Sequence, residues 1–229
     1  MKPLVVAIDG PAGAGKSTVS RRLAQRLGFQ YVDTGAMYRV IGVLAAERGI
    51  APDDAAGLEA LCRETRIRFR DDADGRTRVY ADGRDLTDAI RTPEAGQWAS
   101  KVSAVPQVRA HLVAQQREIG AAGGVVMEGR DIGTVVFPDA FVKVFLDASP
   151  RERARRRAAE LHAQVSEAEI ERVARDIAER DARDRTRAHA PLRPAEDAVY
   201  VDTTGKSIDD VVQMLYDIVT ARRAELARL

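Results

Sequence analysis

Eight residues near the start of the chain, Gly10-Pro11-Ala12-Gly13-Ala14-Gly15-Lys16-Ser17, satisfy the spacing G-x-x-x-x-G-K-[ST]. The chemistry of that spacing is phosphate binding. Small residues let backbone N–H groups come close to a phosphate chain, and a helix opening at the lysine turns its positive end toward the anion. Lys16 is placed to reach the β- and γ-oxygens of ATP, with Thr18 continuing the same site, and the Ser17 hydroxyl is a hard oxygen ligand for Mg²⁺. Four further clusters carry charges and hydroxyls that suit a second anionic ligand. They are Asp33-Thr34-Gly35-Ala36-Met37-Tyr38-Arg39, Gly129-Arg130-Asp131-Ile132-Gly133-Thr134, the pair Ser100 and Arg109, and Glu179-Arg180-Asp181-Ala182-Arg183-Asp184-Arg185-Thr186-Arg187. Taken singly each has an ordinary explanation. An Arg-Asp pair after a strand is commonly a structural ion pair, and a charged helical run is commonly a solvated face.

The elements needed to position these residues are legible. Leu4 to Ile8 is a short apolar run, as in a strand buried on both faces of a parallel sheet. Val19, Leu23 and Leu27 recur every four residues and form one helix stripe, which Gly28 ends. Strands are expected at 29–32, 124–128, 141–146 and 198–201, with helical patterns between most of them. That rhythm predicts an α/β fold, a five-stranded parallel sheet with flanking helices of the P-loop NTPase kind. The first two charged clusters then follow strand ends, at the carboxyl edge where such sheets bind ligands. Arg180, Asp184 and Arg187, spaced i, i+4, i+7, share one face of an expected helix. Ser207-Ile208-Asp209-Asp210 has the form of a capping box, and Ile208, Val211, Val212, Leu215, Ile218 and Val219 give the closing helix its apolar face. Between Ile67 and Leu86 the pattern turns to short β pieces with Asp82-Gly83 as a hairpin signal. An inserted small α+β lobe is therefore expected at 60–108, within a core formed by 1–59 and 109–229.

Bulk properties exclude several classes. The 229 residues carry 36 basic and 35 acidic side chains, net +1, a balance that argues against a dedicated nucleic-acid binder. Lys2, Lys16, Lys101, Lys143 and Lys206 are the lysines; every other basic residue is arginine, the better fork for phosphate oxygens. Cys62 is the single cysteine, so neither an intramolecular disulfide nor a cysteine-based metal cluster is available. No apolar run approaches a membrane span, and the first apolar segment is too short for a signal-peptide core. The expectation is a cytoplasmic protein with no membrane partner, and nothing demands more than a monomer.

A phosphate loop alone does not separate kinase, motor and switch. No N-K-x-D base-reading motif accompanies any lysine, which speaks against a GTPase. Leu146-Asp147-Ala148 offers one acid where a motor carries paired acids. A kinase acting on a small acceptor remains, and its acceptor is to be read from the residues that bind it. A nucleotide-dependent regulatory module is the alternative outside enzymes.

The combination D-[ST]-G-x-x-Y-R, then Gly129-Arg130-Asp131-Ile132-Gly133-Thr134-Val135-Val136-Phe137-Pro138-Asp139-Ala140, then E-R-D-x-R-D-x-x-R resembles the bacterial cytidylate kinase family of nucleoside monophosphate kinases, over essentially the whole chain. Thr34 stands where a serine is common in that family, and a hydroxyl is kept. The resemblance implies ATP-dependent phosphorylation of CMP and dCMP to CDP and dCDP, with Mg²⁺, in pyrimidine metabolism. It implies that Arg39 and Arg130 clamp the acceptor phosphate, within a CMP site that also takes in Asp33, Thr34 and Tyr38. It further implies that Ser100, Arg109 and Asp131 read the cytosine edge. Asp184 and Arg187 are implied to hold the ribose, with Arg180 and Arg187 near the phosphates. Arg151, Arg153, Arg155, Arg156 and Arg157 match a mobile lid, about 150–165, of which Arg156 and Arg157 are assigned to ATP. The inserted lobe is implied to bind the monophosphate.

Overall fold

The computed structural model describes residues 4–161 and 165–228; the part of the expected lid at 162–164 lies outside them. In chain order the strands and helices are β1 (Val5–Asp9), α1 (Lys16–Leu27), β2 (Gln30–Asp33), α2 (Thr34–Glu47), α3 (Ala55–Glu64), β3 (Ile67–Asp71), β4 (Thr77–Ala81), β5 (Arg84–Asp85), α4 (Pro93–Val102), α5 (Pro106–Gly120), β6 (Val125–Gly129), β7 (Val142–Asp147), α6 (Pro150–Leu161), α7 (Glu167–Thr186), β8 (Val199–Asp202) and α8 (Ile208–Leu226). The chain divides into two compact units, Met1–Tyr31 with Ala122–Leu229, and Val32–Ala121.

The five-stranded parallel sheet runs β2-β6-β1-β7-β8. Its central strand β1 is fully buried and apolar down to Ile8, then ends on the buried carboxylate Asp9. In register, Asp9 lies beside Gly129 of β6 and Phe145 of β7. The core beneath joins Val6, Ile8, Val126, Val144 and Leu146 of the sheet to Val19 and Leu23 of α1 and to Val211, Leu215 and Val219 of α8. Helix α1 stops at Gly28, whose φ of 66° lets its N–H return to Gln25. Helix α8 starts at Ser207, which accepts the Asp210 N–H as its sequence predicts. Ile208 departs from its predicted face: at the first position after the cap it is exposed, whereas Val211 and Val212 are buried.

The second unit packs α2 on α4 and α3 on α5, with an antiparallel sheet β3-β4-β5. The β4–β5 turn is Asp82-Gly83, both at positive φ (51° and 85°), the hairpin geometry its sequence signals. This unit is wider than the 60–108 lobe expected from sequence. Helix α2 belongs with it because its apolar side is covered by α4, and α5 belongs with it because it covers α3. Among the described residues no helix is long and apolar enough to cross a membrane.

Candidate active site

The loop between β1 and α1 is built around glycines that nothing larger can replace. Gly10 has a φ of 151°, and a Cβ there would lie 2.0 Å from the Leu146 carbonyl oxygen of β7; at Gly13 (φ 75°) it would lie 2.7 Å from the Arg153 carbonyl oxygen. Gly15 caps α1 with no side-chain hydrogen bond, so the first N–H groups of the helix are left for an anion. Lys16 opens that helix, is buried, and donates from Nζ to the Pro11 carbonyl at 2.7 Å. Ser17 and Thr18 follow it on the exposed side.

Charge gathers around this lysine. Burial, then the positive guanidinium of Arg130, lowers the Lys16 pKa to about 7; Glu128 opposes the shift and Arg180 adds to it. Glu128 is itself buried and accepts a hydrogen bond from the Tyr31 hydroxyl. Arg130, one residue past β6, donates from Nε to Asp184 of α7 at 2.9 Å. Flanking guanidiniums also hold the Asp184 carboxyl below its ordinary pKa, against the opposing effect of its burial. Arg187 donates to the Ala190 carbonyl at 2.6 Å and lies 3.7 Å from the Asp131 carboxylate. It does so from outside the helix: α7 ends at Thr186, and Arg187 is the extended cap residue (φ −60°, ψ 139°). The shared helix face predicted for Arg180, Asp184 and Arg187 therefore holds for the first two only.

The turn carrying Arg130 and Asp131 is π-helical over Ile132–Val136, closed by Val136 N–H to Asp131 C=O and Phe137 N–H to Ile132 C=O. It is fixed from below by Asp9, whose Oδ1 accepts from the Ile132 N–H and whose Oδ2 accepts from the Gly133 N–H, both at 2.8 Å. Burial raises the Asp9 pKa to about 6 against those two bonds, which favour the ionised form.

The arginines of α6 separate into different roles. Arg153 is buried rather than displayed on a lid: it donates to the Ala148 and Ala12 carbonyls and to Asp181 at 2.5 Å. Asp181 in turn accepts from the Ala12 N–H, so both sides of one loop residue are held. Arg156 reaches the loop and the turn after β8, donating to the Ala14 carbonyl at 3.4 Å and to the Thr203 hydroxyl and carbonyl at 2.9 and 2.8 Å. Arg157 pairs along its own helix with Glu160 at 2.8 Å, and Arg155 with Glu152.

Within the second unit the predicted residues also gather. Asp33 caps α2 through the Ala36 N–H and accepts from Arg39 at 2.6 Å. Thr34 is the first residue of that helix and is buried. Arg109, one turn into α5 and 6% exposed, donates to the Tyr38 hydroxyl at 3.3 Å. Ser100 on α4 is buried too, and its hydroxyl oxygen has no hydrogen-bond partner among the described residues. A buried polar atom left this way is an opening for a ligand atom.

Sequence reasoning missed Asp9, Asp181 and the buried role of Arg153. Asp9 had a signal, an acid ending an apolar strand where a buried carboxylate must find donors. Asp181 and Arg153 had none, since each sits in a densely charged helical run that reads as a solvated face.

A parallel sheet whose first strand ends in this glycine loop, with a buried lysine opening the next helix, is the architecture of a P-loop nucleotide-binding fold, shared by P-loop kinases. The fold agrees with a solved gluconokinase from Sinorhizobium meliloti, 15% identical, TM-score 0.50, covering all of this chain and 96% of that one. The chain belongs to the cytidylate kinase family, whose model matches residues 6–221. Among curated relatives, a cytidylate kinase of Syntrophotalea carbinolica is 50% identical over 222 residues, covering 97% of this chain and 94% of the relative. One of Geobacter sulfurreducens is 51% identical over 219 residues, covering 96% and 94%.

Proposed function

We propose that this protein transfers the γ-phosphoryl group of ATP to CMP and dCMP, forming CDP and dCDP in the pyrimidine metabolism of the cytoplasm. The observation that carries the reading is the charge around Lys16. A buried ammonium within the field of Arg130 and Arg180 is unfavourable by itself, and a polyanion between these groups removes the penalty. Relatives named cytidylate kinase at 50% identity over nearly the whole chain supply the acceptor.

In this reading the loop amides, Lys16, Ser17, Thr18 and Arg156 hold ATP. Arg39 and Arg130 hold the acceptor phosphate, while Ser100, Arg109 and Asp131 read the base and Asp184 with Arg187 the ribose. Asp33, Thr34 and Tyr38 shape the acceptor side, and Arg157 completes the ATP side. A carboxylate accepts from the cytosine amine and a guanidinium donates to N3 or O2; uracil reverses the pattern and leaves buried groups unpaired. No general base is required. The attacking group is a phosphate oxygen, largely dianionic at neutral pH because its second pKa is about 6, and catalysis is alignment plus charge stabilisation.

The donor set fits Mg²⁺ arriving with the nucleotide. Ser17 offers a hard oxygen at the mouth of the loop, and among the described residues no group of three acids, cysteines or histidines forms a metal site of its own. When bound, the ion would neutralise the phosphate chain. A coupled ADP-release assay across CMP, dCMP, UMP, AMP and shikimate tests the proposal: turnover confined to CMP and dCMP is expected, and ADP release with another acceptor alone would overturn it.

A further inference from the structure

Asp9 belongs to no element of the phosphate loop, yet it is the residue immediately before it. It is also the buried acid that takes both of its hydrogen bonds from the turn after β6. We propose that Asp9 is a positioning residue that fixes Arg130 and Asp131 relative to the phosphate loop.

The geometry makes a short chain of causes. β1 is the central strand, so its end is held on both sides by β6 and β7. The Asp9 side chain projects from that fixed end and receives the N–H groups of Ile132 and Gly133. The bonds that close the π-turn are donated by Val135, Val136 and Phe137, so its first N–H groups would otherwise be buried without acceptors. Here each carboxylate oxygen takes one of the two donors, so both face the turn and the contact specifies an orientation as well as a place. Gly133 is fitted to this contact: a Cβ there would lie 3.4 Å from Asp9 Oδ2 and 3.2 Å from the Lys143 side chain. Arg130 and Asp131 are the residues directly before the anchored pair. Their side chains are bound at the other end by Asp184 and Arg187, so the backbone anchor and the side-chain anchor come from different elements.

This rests on the proposed function for the roles of Arg130 and Asp131, but its structural half can be read without activity. The test compares wild type with Asp9→Asn, which keeps the shape but offers one acceptor and turns a donor toward the second N–H. Amide exchange should accelerate about tenfold or more at Ile132 and Gly133, with α1 unchanged. In kinetics run well below the melting temperature, kcat should fall about 10²-fold, the loss expected of a misplacement near 1 Å. The ATP KM should stay within about threefold, and the preference for CMP over UMP should narrow. Asp9→Ser, uncharged and smaller, should show the same split. Unchanged exchange at the two amides would overturn the proposal, and so would faster exchange with normal kcat and selectivity, or a KM for ATP that rises as much as kcat falls. If neither variant folds, Asp9 is a folding residue and the proposal fails. Absence of CMP turnover in the wild type would instead sink the proposed function, leaving the exchange result to stand for Asp9.

Discussion

At the scale of single residues, the depressed pKa of Lys16 makes a measurable claim about binding. In the free protein its pKa is about 7, whereas a bound triphosphate favours the charged form and raises it. At pH 8 the free lysine is mostly neutral, so ATP binding must draw in close to one proton. At pH 5.5 it is already charged and draws in almost none. Calorimetry in buffers of different ionisation enthalpy reads that uptake, and Lys16→Ala should abolish both it and phosphoryl transfer while leaving the circular dichroism spectrum intact. Arg130→Ala should lower kcat about 10³-fold, by analogy with arginines that act in the transition state, with ATP affinity little changed. Near-normal kcat would remove Arg130 from the mechanism. Asp131→Asn tests base reading separately. It should shrink the CMP-to-UMP ratio of kcat/KM, and an unaltered ratio would place base recognition elsewhere.

Elements explain why some of this was legible in the sequence and some was not. The phosphate loop, its strand and its helix declare themselves through spacing and periodicity, because the backbone there can be built in one way only. Ser100 and Arg109 were reached through a family pattern, which composition and periodicity do not carry; the structure leaves the buried Ser100 hydroxyl without a partner among the described residues. The π-turn at Ile132–Val136 has no periodic signature, since five residues are fewer than two turns of any helix. Arg153 was grouped with the lid arginines of the same charge, although burial separates it from them: it is 6% exposed while Arg151 and Arg155 face solvent. Its pairing with Asp181, equally buried, ties α6 and α7 to Ala12 of the phosphate loop. Arg153→Ala should strand a buried carboxylate and cost about 3–5 kcal/mol of stability, measured by urea unfolding. Replacing both partners with apolar residues should recover much of that loss; equal damage from the double variant would mean the pair contributes more than charge compensation.

At the scale of the whole molecule, the two buried groups beside the loop oppose folding over neighbouring ranges of pH. Lys16 has a folded pKa of about 7 against an ordinary 10.5. Between those values the unfolded chain binds a proton that the folded one does not, so stability rises with pH from 7 upward and the penalty is complete below 7. Asp9 runs the other way. Its folded pKa of about 6 exceeds the ordinary 3.8, so the folded chain holds the extra proton, stability falls as pH rises from 4 to 6, and the penalty is complete above 6. The two penalties overlap between pH 6 and 7. Without ligand, the contribution of this pair to stability should therefore pass through a minimum there, and a bound triphosphate should lift it by giving the buried Lys16 charge a counter-charge. The gain in melting temperature from saturating ATP-Mg should then be larger at pH 7 than at pH 9, where the free enzyme no longer bears the cost of a buried cation and ATP must draw in a scarcer proton. A thermal series from pH 5 to 9 with and without ATP-Mg, repeated on Lys16→Ala, separates this from general acid unfolding. A ligand-induced shift that does not vary with pH in the wild type, or one that varies equally in the variant, would show that Lys16 does not carry the linkage.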